Sequence, residues 1–212
     1  MYTETILASG MRVWVSKADS DEPQPLLLML HERYGPVQHS FNVIERAAEY
    51  GFVACFPDLF HRYEGDRGPL ERSEARYDPT DEQVLADLDE TIAYLRTQTF
   101  VNGNQIGIVG FCLSGRMPLV YAAARQDEQA IGILQGGNSP RDYVPEFPGQ
   151  DSTTNMLPLI DVPVLAGFGE DARLVPLEIY DQPLGGPEFS GDREWQSPSP
   201  RGVAQGRRVC VG

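Results

Sequence analysis

The sequence is short of cysteine, histidine and positive charge, and each shortage removes a class of protein. Cys55, Cys112 and Cys210 show no CxxC spacing, so neither a disulfide framework nor a zinc site is implied, and no metal or organic cofactor is expected. Seventeen Lys and Arg stand against 31 Asp and Glu, a formal net charge of −14 that repels phosphate backbones and anionic membrane surfaces. Nucleic acid is therefore not an expected partner, and most of that charge needs no reading beyond solubility. No apolar run approaches the ~18 residues of a membrane helix. Residues 1–5 carry no basic stretch leading into an apolar core, so the chain is expected to stay in the cytoplasm. No GxGxxG or Walker loop follows an early strand, which argues against a nucleotide-binding domain.

What is present is one good core. With 41% apolar residues in 212, a single domain is the natural size. Runs rich in branched residues recur at 11–15, 26–30, 52–56, 106–109, 130–134 and 162–166 and read as strands, several of them continuously apolar, as a sheet covered on both faces demands. Helical patterns lie between them. Over 80–96, Val84, Leu85, Leu88, Ile92 and Leu95 share a face, and Thr80 with Gln83 has capping-box spacing. A second helix is predicted over 41–50, with Ser40 as its cap and Gly51 as its stop, and a third from Leu113 to about Arg125, bent early by Pro118. Strands alternating with helices predict a doubly wound, mainly parallel α/β sheet whose ligands sit beyond the carboxyl ends of its strands. The charged stretch 61–79 reads as a solvated excursion over that site, its Arg67, Arg72 and Arg76 as substrate-carboxylate binders or ordinary ion pairs.

The sharpest signal is Gly110-Phe111-Cys112-Leu113-Ser114-Gly115, which follows the apolar run 106–109 and leads into a helix. A nucleophile on so tight a strand-to-helix turn needs small residues two before and two after it; Gly110 and Ser114 satisfy this around Cys112. Centred on Ser114 the test fails at Arg116. The amino end of the following helix favours a thiolate, and its free amides suit an oxyanion: the N–H of Leu113 is the expected first donor, with a second near Arg33 after the earlier strand.

These residues resemble the dienelactone hydrolase family. The likeness extends to His31-Glu32-Arg33-Tyr34-Gly35, to Phe56-Pro57-Asp58-Leu59-Phe60 and to Gly169-Glu170-Asp171 before Val175-Pro176. The resemblance implies an α/β-hydrolase fold acting on small-molecule esters or lactones through Cys112, with Asp171 as the acid and Glu32 as a carboxylate that modulates the thiol. Glu170 is the competing acid. Ser114 departs from a glycine in the type pattern.

The family's histidine should follow the acid, yet His31, His39 and His61 all precede Cys112. From 181 onward the composition shifts to six Gly and four Pro in 32 residues, and no apolar period survives. The α/β-hydrolase domain is accordingly assigned to 1–181, lacking a final strand and helix, with an irregular Gly/Pro/Arg-rich segment over 182–212. A shifted frame or truncation near 182 is one reading of the change and a natural disordered tail the other; resequencing the native gene separates them. His31 or His61 could stand in for the absent base. The alternative to a hydrolase is a catalytically silent scaffold with the same fold. Oligomeric state is not legible.

Overall fold

A sheet whose strands are apolar on both sides has to be sandwiched between helices, and the chain builds this arrangement. The computed structural model describes residues 1–126, 130–136, 148–162, 164–167 and 208–211. The strands are β1 Tyr2–Ile6, β2 Arg12–Ser16, β3 Gln24–Leu30, β4 Val53–Pro57, β5 Val101–Phe111, β6 Ala130–Gly136, β7 Val164–Gly167 and β8 Arg208–Val211. They form one sheet in the order β1-β2-β4-β3-β5-β6-β7-β8. Pairing is parallel from β4 through β3, β5 and β6 to β7, and antiparallel between β1 and β2, β2 and β4, and β7 and β8. The expected doubly wound, mainly parallel sheet is thus present.

Alternation sends successive side chains of β3 to opposite faces. Leu26, Leu28 and Leu30 join Val53, Cys55, Ile106 and Ile108 under helix α3 Asp81–Arg96, while Met29 joins Trp14, Phe56 and Val109 under helix α1 Gln38–Glu49. All five residues of β4 are buried. Helix α3 begins with the predicted capping box: the Gln83 N–H donates to Thr80 Oγ1 and the Thr80 N–H to Gln83 Oε1. Its buried positions include Val84, Leu88, Ile92 and Leu95.

Several expectations change. Helix α1 starts at Gln38 after Val37, which supplies no side-chain cap, and the Ser40 N–H donates to the Val37 carbonyl. Gly51 stops the helix as expected, at φ +87°. The helix predicted over 113–125 is divided into a 3₁₀ turn, Cys112–Arg116, and α4, Met117–Ala124, with Pro118 in the first turn of α4, where a missing N–H forfeits no helical bond. The stretch 61–79 is not wholly solvated: Leu70, in the single helical turn α2 Gly68–Glu71, is fully buried, and Tyr63 and Tyr77 pack on the core. Composition predicts an irregular segment over 182–212, yet residues 208–211 form β8, whose main chain pairs with β7 along the edge expected to be open. The run Arg208-Val209-Cys210-Val211 carries two β-branched residues, enough for a short strand once a partner edge is offered.

Candidate active site

The turn at the end of β5 is strained in the way a nucleophile elbow requires. Cys112 is exposed and stands at φ 52°, a left-handed conformation uncommon outside glycine. A Cβ on Gly110 would lie 2.1 Å from the Ser114 carbonyl oxygen and 2.9 Å from Pro118 Cδ, so glycine is obligatory at that position. Ser114 is completely buried; its Oγ accepts the Phe111 N–H at 2.9 Å and lies 3.0 Å from the carbonyl oxygens of Leu30 and Phe111. The hydroxyl therefore pins the elbow to the neighbouring strand. Arg116 ends the 3₁₀ turn with its guanidinium buried, paired with Asp81 and donating to the Asp151 carbonyl at 2.7 Å. Leu113, directly after the cysteine, is buried in the same turn.

The second part of the site comes from β3. Leu30 is paired in register with Gly110, so Glu32 and Cys112 each lie two residues past the last couple of two adjacent parallel strands. Strand order reverses between β3 and β5, since β3 leads through α1 to β4 on one side and β4 leads through α3 to β5 on the other. Crevices of α/β sheets open at such a switch. A turn follows, closed by the Gly35 N–H donating to the Glu32 carbonyl at 3.1 Å, with Gly35 at φ +76° and Arg33 and Tyr34 at its tip. The Glu32 carboxylate makes no hydrogen bond or ion pair among the described residues, and it lines a small cavity with His39, Ser40, Val43 and Phe111.

His31 and His61 are both engaged in structure. His31 is buried with both ring nitrogens engaged: Nε2 accepts the Leu59 N–H at 3.0 Å and Nδ1 donates to the Glu32 carbonyl at 2.8 Å. Burial pulls its imidazole down to about 4. His31 is therefore a neutral strut between β3 and β4, and the idea that it replaces a missing base is corrected. His61, expected at the surface, is nearly buried, with Nε2 3.2 Å from Asp87 Oδ1, a carboxylate shared with Arg62 at 2.7 Å. The arginines weighed as substrate binders are likewise occupied: Arg67 by Asp58 and the Phe60 carbonyl, Arg72 by Glu74, Arg76 by Asp78. The buried Asp58 and Asp87 anchors escaped sequence reading because no spacing announces a long-range ion pair; Ser114 was visible in its motif, but its hydrogen bonds were not. Asp171 and Glu170 lie outside the described residues.

Cys55 faces the core, and burial pushes its thiol up, leaving it inert beside the exposed Cys112. Among the described residues no three of His, Cys, Asp and Glu are placed to hold a metal ion, and no helix is long and apolar enough to cross a membrane.

A mainly parallel sheet with a strained, exposed residue at the turn after its central strand defines the α/β-hydrolase class. The chain belongs to the dienelactone hydrolase family, whose model matches residues 11–181. It is similar to a "Putative carboxymethylenebutenolidase" of Escherichia coli K12, 30% identical over 171 residues that cover 75% of this chain and 59% of that protein. A protein of the same description from Methylorubrum extorquens is 29% identical over 169 residues, 76% of this chain and 55% of its own. The chain thus spans less than two thirds of these relatives' length. The crystal structure of a "Putative Dienelactone Hydrolase" from Klebsiella pneumoniae superposes with a TM-score of 0.72 over 85% of this chain and 77% of that one, at 23% identity, which establishes the shared fold.

Proposed function

We propose that this protein hydrolyses carboxylic esters or lactones, with Cys112 as the nucleophile. The observation that carries the reading is a solvent-exposed cysteine held at φ 52° between a parallel strand and a 3₁₀ turn, at the sheet's switch point. The relatives' name supplies the substrate class: carboxymethylenebutenolide is a lactone.

In this reading Glu32 takes the thiol proton, and the Cys112 sulfur attacks the carbonyl carbon. The oxyanion that forms is held by the main-chain N–H groups of Leu113 and Arg33; the latter makes no hydrogen bond among the described residues. Collapse breaks the carbon–oxygen bond to the alcohol, which leaves with a proton, and a thioester remains. Water then adds to the thioester, releasing the acid and returning the sulfur as a thiol. Asp171, four residues beyond the end of β7, is the acid of the constellation by its place in the motif. His31 and His61 are both committed to structural partners, and the Glu32 carboxylate, without a partner among the described residues, is the group assigned to take the proton.

The test is hydrolysis of a chromogenic phenyl ester by the purified chain beside Cys112→Ala, with intact-mass measurement of the quenched reaction. An acyl adduct on the Cys112 peptide and a rate lost in the alanine variant are expected. Equal rates in the two proteins and no adduct would overturn the reading.

A further inference from the structure

Of the three histidines, His31 and His61 are built into the fold, and His39 is left over. It stands in the first turn of α1, exposed, and its imidazole makes no hydrogen bond, ion pair or ring contact among the described residues. An exposed imidazole on a helix is ordinarily no more than solvated. This one lines the same cavity as the Glu32 carboxylate, which is likewise without a partner among the described residues. The cavity measures about 30 Å³, room for about one or two waters between the two groups. Its other walls offer neither group an alternative: β4 and β5 face it with the apolar Phe56 and Phe111, α1 adds the neutral Ser40, and both ring nitrogens of His31 are engaged.

The meeting of the two groups is a product of a short chain path. The Gly35 N–H closes the turn onto the Glu32 carbonyl and α1 begins at Gln38, so the chain doubles back within seven residues and returns His39 to the crevice that Glu32 faces. Glu32 is partly buried and His39 exposed, so a proton passing from the first to the second moves from the site toward solvent. We propose that His39 is the positioning residue of the Glu32 carboxylate: across the shared cavity its imidazole orients that group and draws off the proton that Glu32 takes from the Cys112 thiol. The inference deepens the hydrolase reading and rests on Cys112 and Glu32 in the roles given above. No further reactant is needed. The S–H proton moves to a Glu32 oxygen, a proton moves on from that carboxyl through a cavity water to the unprotonated ring nitrogen of His39, and Glu32 is returned as a carboxylate beside a thiolate and an imidazolium. The direction is favourable, because an imidazole ordinarily holds a proton about a hundredfold more tightly than a carboxylate does. The alcohol released from the ester takes the proton back along the same route.

Alkylation of Cys112 by the uncharged reagent iodoacetamide tests the relay without any need for turnover, because its rate follows the thiolate fraction. Rates are read by mass spectrometry on the Cys112 peptide, in the full chain and in His39→Gln, Glu32→Gln and the double variant. His39→Gln should be roughly tenfold slower than the unmutated chain near pH 6.5 and equal to it near pH 10, where hydroxide removes the thiol proton and no relay is needed. In the Glu32→Gln background, His39→Gln should cost nothing more, since the imidazole acts through the carboxylate. Millimolar imidazole should restore part of the rate lost in His39→Ala, which a residue needed only for folding would not allow. Superimposable pH profiles, a loss of the same size at every pH, or an undiminished cost of His39→Gln in the Glu32→Gln background overturns the proposal. Ester hydrolysis that depends on Cys112 but not on His39, with superimposable alkylation profiles, removes the relay and leaves the hydrolase reading standing; a His39-dependent alkylation profile without ester hydrolysis does the reverse.

Discussion

Two loops meet at the carboxyl end of the sheet and treat their polar groups in opposite ways. In the stretch after β4, almost every charge is spoken for: Asp58 accepts from the Phe60 N–H and from Arg67, and Asp87 on α3 accepts from His61 and Arg62. In the turn after β3 and the elbow after β5, the Glu32 carboxylate, the Arg33 guanidinium and the Cys112 thiol have no partner among the described residues. Saturated groups build; groups left unsatisfied at a switch point are available for chemistry. The contrast also explains why His31 and His61 do not serve as bases, since both belong to the saturated side.

Breaking the reactive side should cost activity and leave stability alone. Glu32→Gln removes the proposed proton acceptor while keeping its shape, and ester hydrolysis should fall by about 10²–10⁴ in kcat/KM. The urea midpoint should not move, because the carboxylate makes no bond to lose among the described residues. A variant that unfolds earlier but turns over normally would reverse the assignment of the two loops.

Breaking the saturated side should do the opposite. Asp87→Ala strips the shared acceptor from His61 and Arg62, whose side chains are 8% and 32% exposed, and leaves a nearly buried imidazole and a guanidinium unmatched. A loss of about 3–5 kcal/mol is expected in urea unfolding, toward the lower end because Arg62 can swing into water. Cys112 alkylation by iodoacetamide should stay close to the unmutated rate wherever the variant is folded.

His31 sharpens the comparison through pH. In the unfolded chain an imidazole titrates near 6.5 and in the fold His31 titrates at about 4, so between those values the unfolded chain binds more protons. Stability from this group is complete above about pH 6.5 and drains away as the pH falls toward 4, by roughly 3 kcal/mol in all. His31→Gln can still accept the Leu59 N–H but does not titrate. Its urea midpoint should depend less on pH than that of the unmutated chain across this window; parallel curves would show that His31 is not the titrating group.

Much of this was legible beforehand, and the boundary is physical. Strands β2 to β7 and helix α3 announce themselves because hydrophobic period and capping are local properties. The elbow is legible because sterics dictate Gly110 and a small residue at 114. Strand β1 was missed because four of its five residues are exposed and carry no apolar pattern. The 61–79 stretch was misread because its charges cancel one another only in three dimensions. Glu32 was legible as a residue of interest, but that its carboxylate stays unpaired among the described residues while its carbonyl orders His31 is a property of the packing alone.

Ser114 is where sequence and structure give the most different weights to one atom. Read in the motif, it is a tolerated substitute for glycine. In the fold, its hydroxyl accepts the Phe111 N–H and can donate to the Leu30 carbonyl, tying the end of β3 to the elbow of β5 and so fixing Glu32 relative to Cys112. Ser114→Ala removes both bonds at a completely buried side chain, which should lower stability by about 1–2 kcal/mol. Because the bonds also set register between the two reactive strand ends, ester hydrolysis should fall by more than the small stability loss explains when assayed well below the unfolding transition. Should the alanine protein match the parent in both urea midpoint and rate, the hydroxyl is only a space-filler, and the register of β3 on β5 must be held by the strand ladder alone.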